Sequence, residues 1–267
     1  MELAVELGLT GRVAVVTGGS EGIGKAAAVS MANEGANVAI IARNQAKLDA
    51  AAKEIKSTAT GEVIALSCDV GDRASVDAAF KKILDKWGRV DILVNNAGSG
   101  NAGSFTDLSD EKLTSDMRTK VYGAIYCSQA ALPSMRKARW GRIINITTPG
   151  GKAAPVNTLP TSMSRAAGIA MTKEMSKEYA AENILVNTVC IGTIKSGQHE
   201  RRWEAAHAKD PSITLDDWYV QVGKNLPMGR PGEASEAGDL ICFLASERAS
   251  YISGTAINMD GGSAPVV

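Results

Sequence analysis

The stretch with the clearest chemical purpose is Thr17-Gly18-Gly19-Ser20-Glu21-Gly22-Ile23-Gly24. Glycines spaced G-x3-G-x-G, just after a branched apolar run and opening a helix-like one, let free backbone N–H groups and a helix N-terminus face a pyrophosphate. The spacing is not the G-x-G-x-x-G of many dinucleotide folds, and a tight turn with no ligand is the competing reading. Arg43 ends the run Ile40-Ile41-Ala42-Arg43-Asn44. An acid at that corner accepts from a ribose 2′-hydroxyl, whereas a guanidinium pairs with a 2′-phosphate; Ala42 takes the acidic position and Arg43 follows it. Glu21, beside the second glycine, is a mild dissent. Asp69-Val70 follow a third run and suit an adenine amino group, and Asn95-Asn96-Ala97-Gly98 follow a fourth. There is no Ser-His-Asp or Cys-His constellation and no metal-ligand spacing.

These groups need a scaffold that brings the ends of several strands together. Short, mostly branched runs at 13–16, 38–41, 63–66, 92–94, 143–146, 185–189 and 257–259 read as strands buried on both faces. Amphipathic stretches at 47–56, 75–87 and 168–179 are long enough for crossover helices, so the fold is expected to be α/β: a doubly wound, seven-stranded parallel sheet of Rossmann type, with helices on both faces. The 267 residues are expected to form one dinucleotide-binding domain, 1–267, with no linker or repeat. One excursion, 192–231, breaks the rhythm; it contains His199, Arg201, Arg202, Trp203, His207 and Trp218, and Thr214 with Asp217 marks a helix start. Beyond a strand's carboxyl end, such a segment reads as a lid.

Basic and acidic residues balance at 29 each and aromatics are 4%, which argues against nucleic acid or an anionic membrane surface as a partner. The first residues carry Glu2 and Glu6 and no early Lys or Arg, the wrong sign for a secretory signal. Cys68, Cys127, Cys190 and Cys242 are widely spaced and read as reduced core residues, so a cytoplasmic location is expected.

The TGxxxGIG and NNAG motifs, with Asp69-Val70 and Asn258-Met259-Asp260-Gly261-Gly262, closely resemble the short-chain dehydrogenase/reductase family over about 9–262. Among its members the chain resembles the 3-oxoacyl-carrier-protein reductases. The resemblance implies an oxidoreductase acting on a carbonyl or alcohol substrate. With Arg43 it points to NADP(H), NAD(H) being the runner-up. Expected cofactor contacts are Gly18, Ser20, Glu21, Gly22, Ile23, Gly24, Arg43, Asp69, Val70, Asn95, Ala97, Gly98, Arg165, Gly192 and Ile194. The resemblance also implies a homo-oligomer, a tetramer or dimer.

The catalytic end departs from the family. By its flanks, Thr148 occupies the position of the substrate-binding Ser, Thr161 that of the Tyr acid/base, Arg165 that of the Lys and Lys120 that of the Asn. An alkanol, about as weak an acid as water, replaces a phenol near pKa ~10. That gap of roughly 5 to 6 units corresponds to about 7 to 8 kcal/mol. Arg165, one helical turn past Thr161, keeps donors for ribose hydroxyls. Proton delivery would then fall to Lys120 if desolvated, to His199 or His207, or to water, against the bland readings of a solvated helix lysine and surface histidines. Lys152 is a candidate for an acidic substrate group, as is the cluster Lys195, His199, Arg201 and Arg202. Two rivals stand beside this: a redox-inactive NADP(H)-binding sensor or assembly subunit, and a non-redox enzyme on the same fold, which the retained glycine turn disfavours.

Overall fold

The computed structural model describes residues 6–267; Glu2 and the start of the N-terminal segment lie outside them. The seven apolar runs become β1 (Val13–Thr17), β2 (Asn37–Ala42), β3 (Val63–Ser67), β4 (Ile92–Asn95), β5 (Gly141–Thr147), β6 (Ile184–Ile191) and β7 (Ala256–Met259). All pair in parallel in the order β3-β2-β1-β4-β5-β6-β7, so the chain reverses direction across the sheet between β1 and β4. A crevice opens at such a switch point, beyond the carboxyl ends of the strands.

Alternation along the strands divides the core in two. Ala14, Val16, Val38 and Ile40 face one layer, formed by α1 (Gly22–Asn33), α2 (Gln45–Lys56) and α9 (Ala234–Ala245). Val13, Val15, Ala39 and Ile41 face the other, where α3 (Arg73–Trp87), α5 (Gly123–Ala138) and α6 (Thr161–Glu178) lie. The four cysteines are buried and unbridged, as their spacing predicted. Among the described residues no helix is long and apolar enough to cross a membrane.

Two regions depart from a plain crossover pattern. The excursion after β6 folds into α7 (Gly197–His207) and α8 (Leu215–Gly223), and α8 opens on the expected capping box of Thr214 and Asp217. Between β4 and α5 lies α4 (Asp110–Met117), followed by a π turn over Arg118–Tyr122. A π turn inserts one residue into the helical ladder and is common where a side chain must be redirected. Here Lys120 turns inward and Tyr122 stays half exposed.

Candidate active site

The switch-point crevice is a polar cavity of about 700 Å³ running from the glycine turn to the start of α6. One hydroxyl organises its upper end. Thr17 Oγ1 accepts from the backbone N–H groups of Asn96 (2.8 Å) and Ala97 (2.9 Å) and donates to the Val94 carbonyl (3.2 Å). Asn96 Nδ2 returns a bond to the Thr17 carbonyl at 2.9 Å, so the turns after β1 and β4 are stitched together.

The first turn of α1 is built for an anion. No side chain caps it, which leaves its N-terminal N–H groups open, and Gly22 at φ +55° exposes them. A Cβ on Gly24 would lie 2.3 Å from the Gly18 carbonyl oxygen, so that glycine allows the helix to sit close against β1. Gly18, Ser20, Glu21, Gly22, Ile23, Arg43, Asp69, Val70, Ala97, Gly98, Arg165, Gly192 and Ile194 all line the crevice. Two expected contacts do not. Gly24 is buried behind the turn, and Asn95 points into the sheet, where its Nδ2 donates to Asn145 Oδ1 (2.9 Å) and Ser128 Oγ (3.3 Å). Strand alternation puts Asn96, its neighbour, on the wall instead.

Asp69 spends one carboxylate oxygen on the backbone N–H of Gly71, 2.9 Å away, and faces the crevice. Glu21 is held by Lys47 Nζ at 3.0 Å and Arg201 Nη1 at 3.3 Å. Partial burial pushes its carboxyl up, but these two cations hold it below its ordinary range. The acid that argued against a 2′-phosphate is therefore neutralised by its neighbours. With Arg43, Lys47 and Arg201 on the same wall, that end of the crevice is net positive.

At the other end Lys120 is buried, its side chain 2% exposed. Its ammonium donates to Asp116 in a short contact and to Thr161 Oγ1 at 3.2 Å. Arg165, half-buried alongside, donates to the Ile146 carbonyl at 2.6 Å and keeps a buried Nε with no protein partner. Burial and the Arg165 charge push the Lys120 ammonium down to about 8 against the pull of Asp116. Burial likewise lowers Arg165 to about 10, so it stays charged at neutral pH. The bland reading of Lys120 as a solvated helix lysine is thus overturned. Asp116 lies four residues earlier, a spacing that solvated helix pairs share.

Thr148 lines the crevice, and its hydroxyl has no hydrogen bond among the described residues. Thr161 does not line it: its Oγ1 receives Lys120 and, at 3.4 Å, the Asn101 N–H. Lys152 donates to the Ala256 carbonyl (2.5 Å) and Asn258 Oδ1 (2.6 Å), which ties the turn after β5 to β7 and corrects its assignment to a substrate. His207 is engaged within the excursion after β6, with Nδ1 2.9 Å from the Ile213 carbonyl and its ring against Trp203. His199 does face the crevice, its Nδ1 buried without a partner, and burial and Arg202 hold its pKa below the ordinary value. Lys195 is paired with Glu233 at 2.5 Å and Arg201 with Glu21 at 3.3 Å, so half of the expected basic cluster is committed within the protein. Among the described residues no cluster of metal-ligating side chains exists.

Comparison with known proteins agrees with this architecture. Residues 18–264 match the family described as Enoyl-(Acyl carrier protein) reductase. The chain is 35% identical to Oxidoreductase UcpA of Escherichia coli K12 over 256 residues, covering 96% of this chain and 95% of that one. It is 34% identical to the NADPH-dependent reductase BacG of Bacillus subtilis, covering 94% and 97%. The solved structure of L-sorbose reductase from Gluconobacter frateurii, complexed with NADPH and L-sorbose, superposes with a TM-score of 0.92 at 30% identity, covering 98% of this chain and all of the other.

Proposed function

The chain belongs to the short-chain dehydrogenase/reductase family, and from that premise we propose that it is an NADP(H)-dependent oxidoreductase interconverting a carbonyl and an alcohol, with Lys120 carrying the proton. Three features support the cofactor: the uncapped first turn of α1, the cations Arg43 and Lys47, and the relatives that use NADPH. The glycine turn would hold the pyrophosphate, Arg43 the 2′-phosphate, Asp69 the adenine amino group and Arg165 the nicotinamide ribose. When bound, the nicotinamide supplies or accepts the hydride. Reduction of a ketone then requires a proton at the substrate oxygen, and oxidation requires its removal.

The observation that carries the reading is the buried Lys120 ammonium at the cleft floor. An acid with a pKa near the working pH serves proton transfer best. At about 8, Lys120 is mostly protonated at neutral pH and still able to give its proton up. The Thr148 hydroxyl, facing the same space, would hydrogen-bond the substrate oxygen. Thr161 steadies Lys120 rather than replacing a tyrosine. We place the enzyme in the cytoplasm, in keeping with four unbridged cysteines.

The test combines NADPH titration by fluorescence with absorbance of reduced nicotinamide over a panel of ketones and aldehydes. Lys120→Arg keeps the charge and the pairing with Asp116 but cannot deliver a proton at these pH values. It should retain NADPH binding and lose about 10²- to 10⁴-fold in kcat. Unchanged kcat in Lys120→Arg sinks the assignment. Tight NADPH binding with no turnover of any carbonyl would instead favour the redox-inactive reading, which the withdrawal of Thr161 from the cleft wall supports. Thr161→Tyr combined with Arg165→Lys should then gain activity.

A further inference from the structure

A second ionisable group sits at the cleft floor, and the chemistry above does not use it. Asp116, on α4, is 1% exposed. Oδ1 accepts from the Lys120 ammonium, and Oδ2 accepts from Ser164 Oγ at 2.6 Å. Ser164 is itself buried, and the same hydroxyl lies 2.9 Å from the Thr161 carbonyl, one turn earlier on α6. Both carboxylate oxygens are therefore engaged, by groups from two different elements. The π turn begins two residues after Asp116 and contains Lys120, which lets the two side chains meet in the interior instead of along a solvated helix face.

The charged groups facing Lys120 are Asp116 from α4 and Arg165 from α6. The Thr161 hydroxyl approaches from α6. The loop after β4 presents backbone: a Cβ at Gly98 would lie 3.4 Å from Lys120 Cε and 3.2 Å from Arg165 Nη2. Two influences drive the proton off Lys120, burial and Arg165, and one holds it on. An isolated buried ammonium sheds its proton.

We propose that Asp116 is a positioning residue: clamped by Ser164, its carboxylate holds the Lys120 ammonium protonated and fixed at the cleft floor for transfer to a substrate oxygen. This rests on the role proposed for Lys120. Asp116 touches neither substrate nor cofactor in this scheme, so its effect must be read through Lys120.

The decisive measurement is an NMR titration of lysine Cε resonances in the cofactor-free protein, with Lys120 assigned by its absence in Lys120→Arg. The wild-type midpoint is expected near 8. Asp116→Asn should lower it by about 1–3 pH units, the range for loss of an adjacent opposite charge, and Asp116→Glu should bring it back toward the wild-type midpoint. With the most active carbonyl of the panel, the alkaline limb of the Asp116→Asn rate profile should shift by the same amount, with KM unchanged. Ser164→Ala keeps the ion pair, so it should leave the midpoint in place and reduce kcat about tenfold; it tests the clamp even if Asp116→Asn does not fold. Coincident midpoints for wild type and Asp116→Asn, or a Ser164→Ala variant as fast as wild type, would overturn the proposal. If Lys120→Arg loses turnover while Asp116→Asn titrates normally, only the inference about Asp116 fails. If Lys120→Arg turns over normally, the reading beneath it fails.

Discussion

At the scale of single residues, the outcome turns on where a proton can reside. Thr161 would need its hydroxyl acidified across a gap of about 7 to 8 kcal/mol, more than one neighbouring cation supplies. Thr161→Val should therefore cost less than about tenfold in kcat by steady-state kinetics, far below the loss expected for a group that transfers the proton. A loss as large as that of Lys120→Arg would make Thr161 the acid. The pH dependence follows from Lys120. Burial and Arg165 place its midpoint at about 8, so reduction, which needs the ammonium, should slow above that pH. Oxidation, which needs the free amine, should quicken through the same pH; parallel profiles in the two directions would contradict this. At the opposite end of the cleft, Arg43→Ala removes a charge-assisted partner worth about 1.5–3 kcal/mol. NADPH should weaken by about ten- to a hundredfold while NADH is nearly unaffected, as fluorescence titration would read. The place of Arg43 at the crevice was legible in the sequence because the branched run before it marks where β2 ends. The burial of Lys120 was not, since a lysine four residues from an acid looks the same on a wet helix.

At the scale of elements, close approach and short ion pairs set the geometry. α1 can deliver its N-terminus to the cleft because Gly24 lets it rest against the Gly18 carbonyl. Gly24→Ala should destabilise the fold by about 1–3 kcal/mol, as overpacking does, and weaken NADPH binding in step; denaturant melts would show it. An unchanged melt would mean that the helix has room to move. Glu21 joins three elements, the glycine turn, α2 through Lys47 and α7 through Arg201. The pairs are half exposed and each is worth no more than about 1 kcal/mol. Arg201→Ala should accordingly speed amide hydrogen exchange across 197–207 by up to about fivefold, leaving β1 to β6 untouched. Strand positions and the Thr214 capping box could be read from periodicity and turn chemistry. The π turn could not, because it comes with contacts of Lys120 and Asp116 to Thr161 and Ser164 on α6, more than forty residues further along the chain.

At the scale of the whole molecule, equal numbers of acids and bases conceal a division of labour. Cations gather along the cleft, while the exterior also carries large apolar side chains at Phe105, Val156 and Tyr251, with Tyr122 and Met163 half exposed on the elements flanking the catalytic end. We expect a homo-oligomer, a tetramer or dimer; size-exclusion chromatography with light scattering should give a mass at least twice that of one chain, and a monomer at micromolar concentration would refute it. The sequence by itself determined the parallel sheet, the glycine turn and the strand-end cation on which the proposed 2′-phosphate preference rests, because strand periodicity, glycine spacing and the residue at a strand end are local features. Only the tertiary structure decided which charges are spent. It placed Lys152, Lys195 and His207 in structural contacts, neutralised Glu21, and left Lys120 buried between Asp116, Thr161 and Arg165. Burial and partners from distant segments set a side chain's charge, and neither is written in its neighbours along the chain.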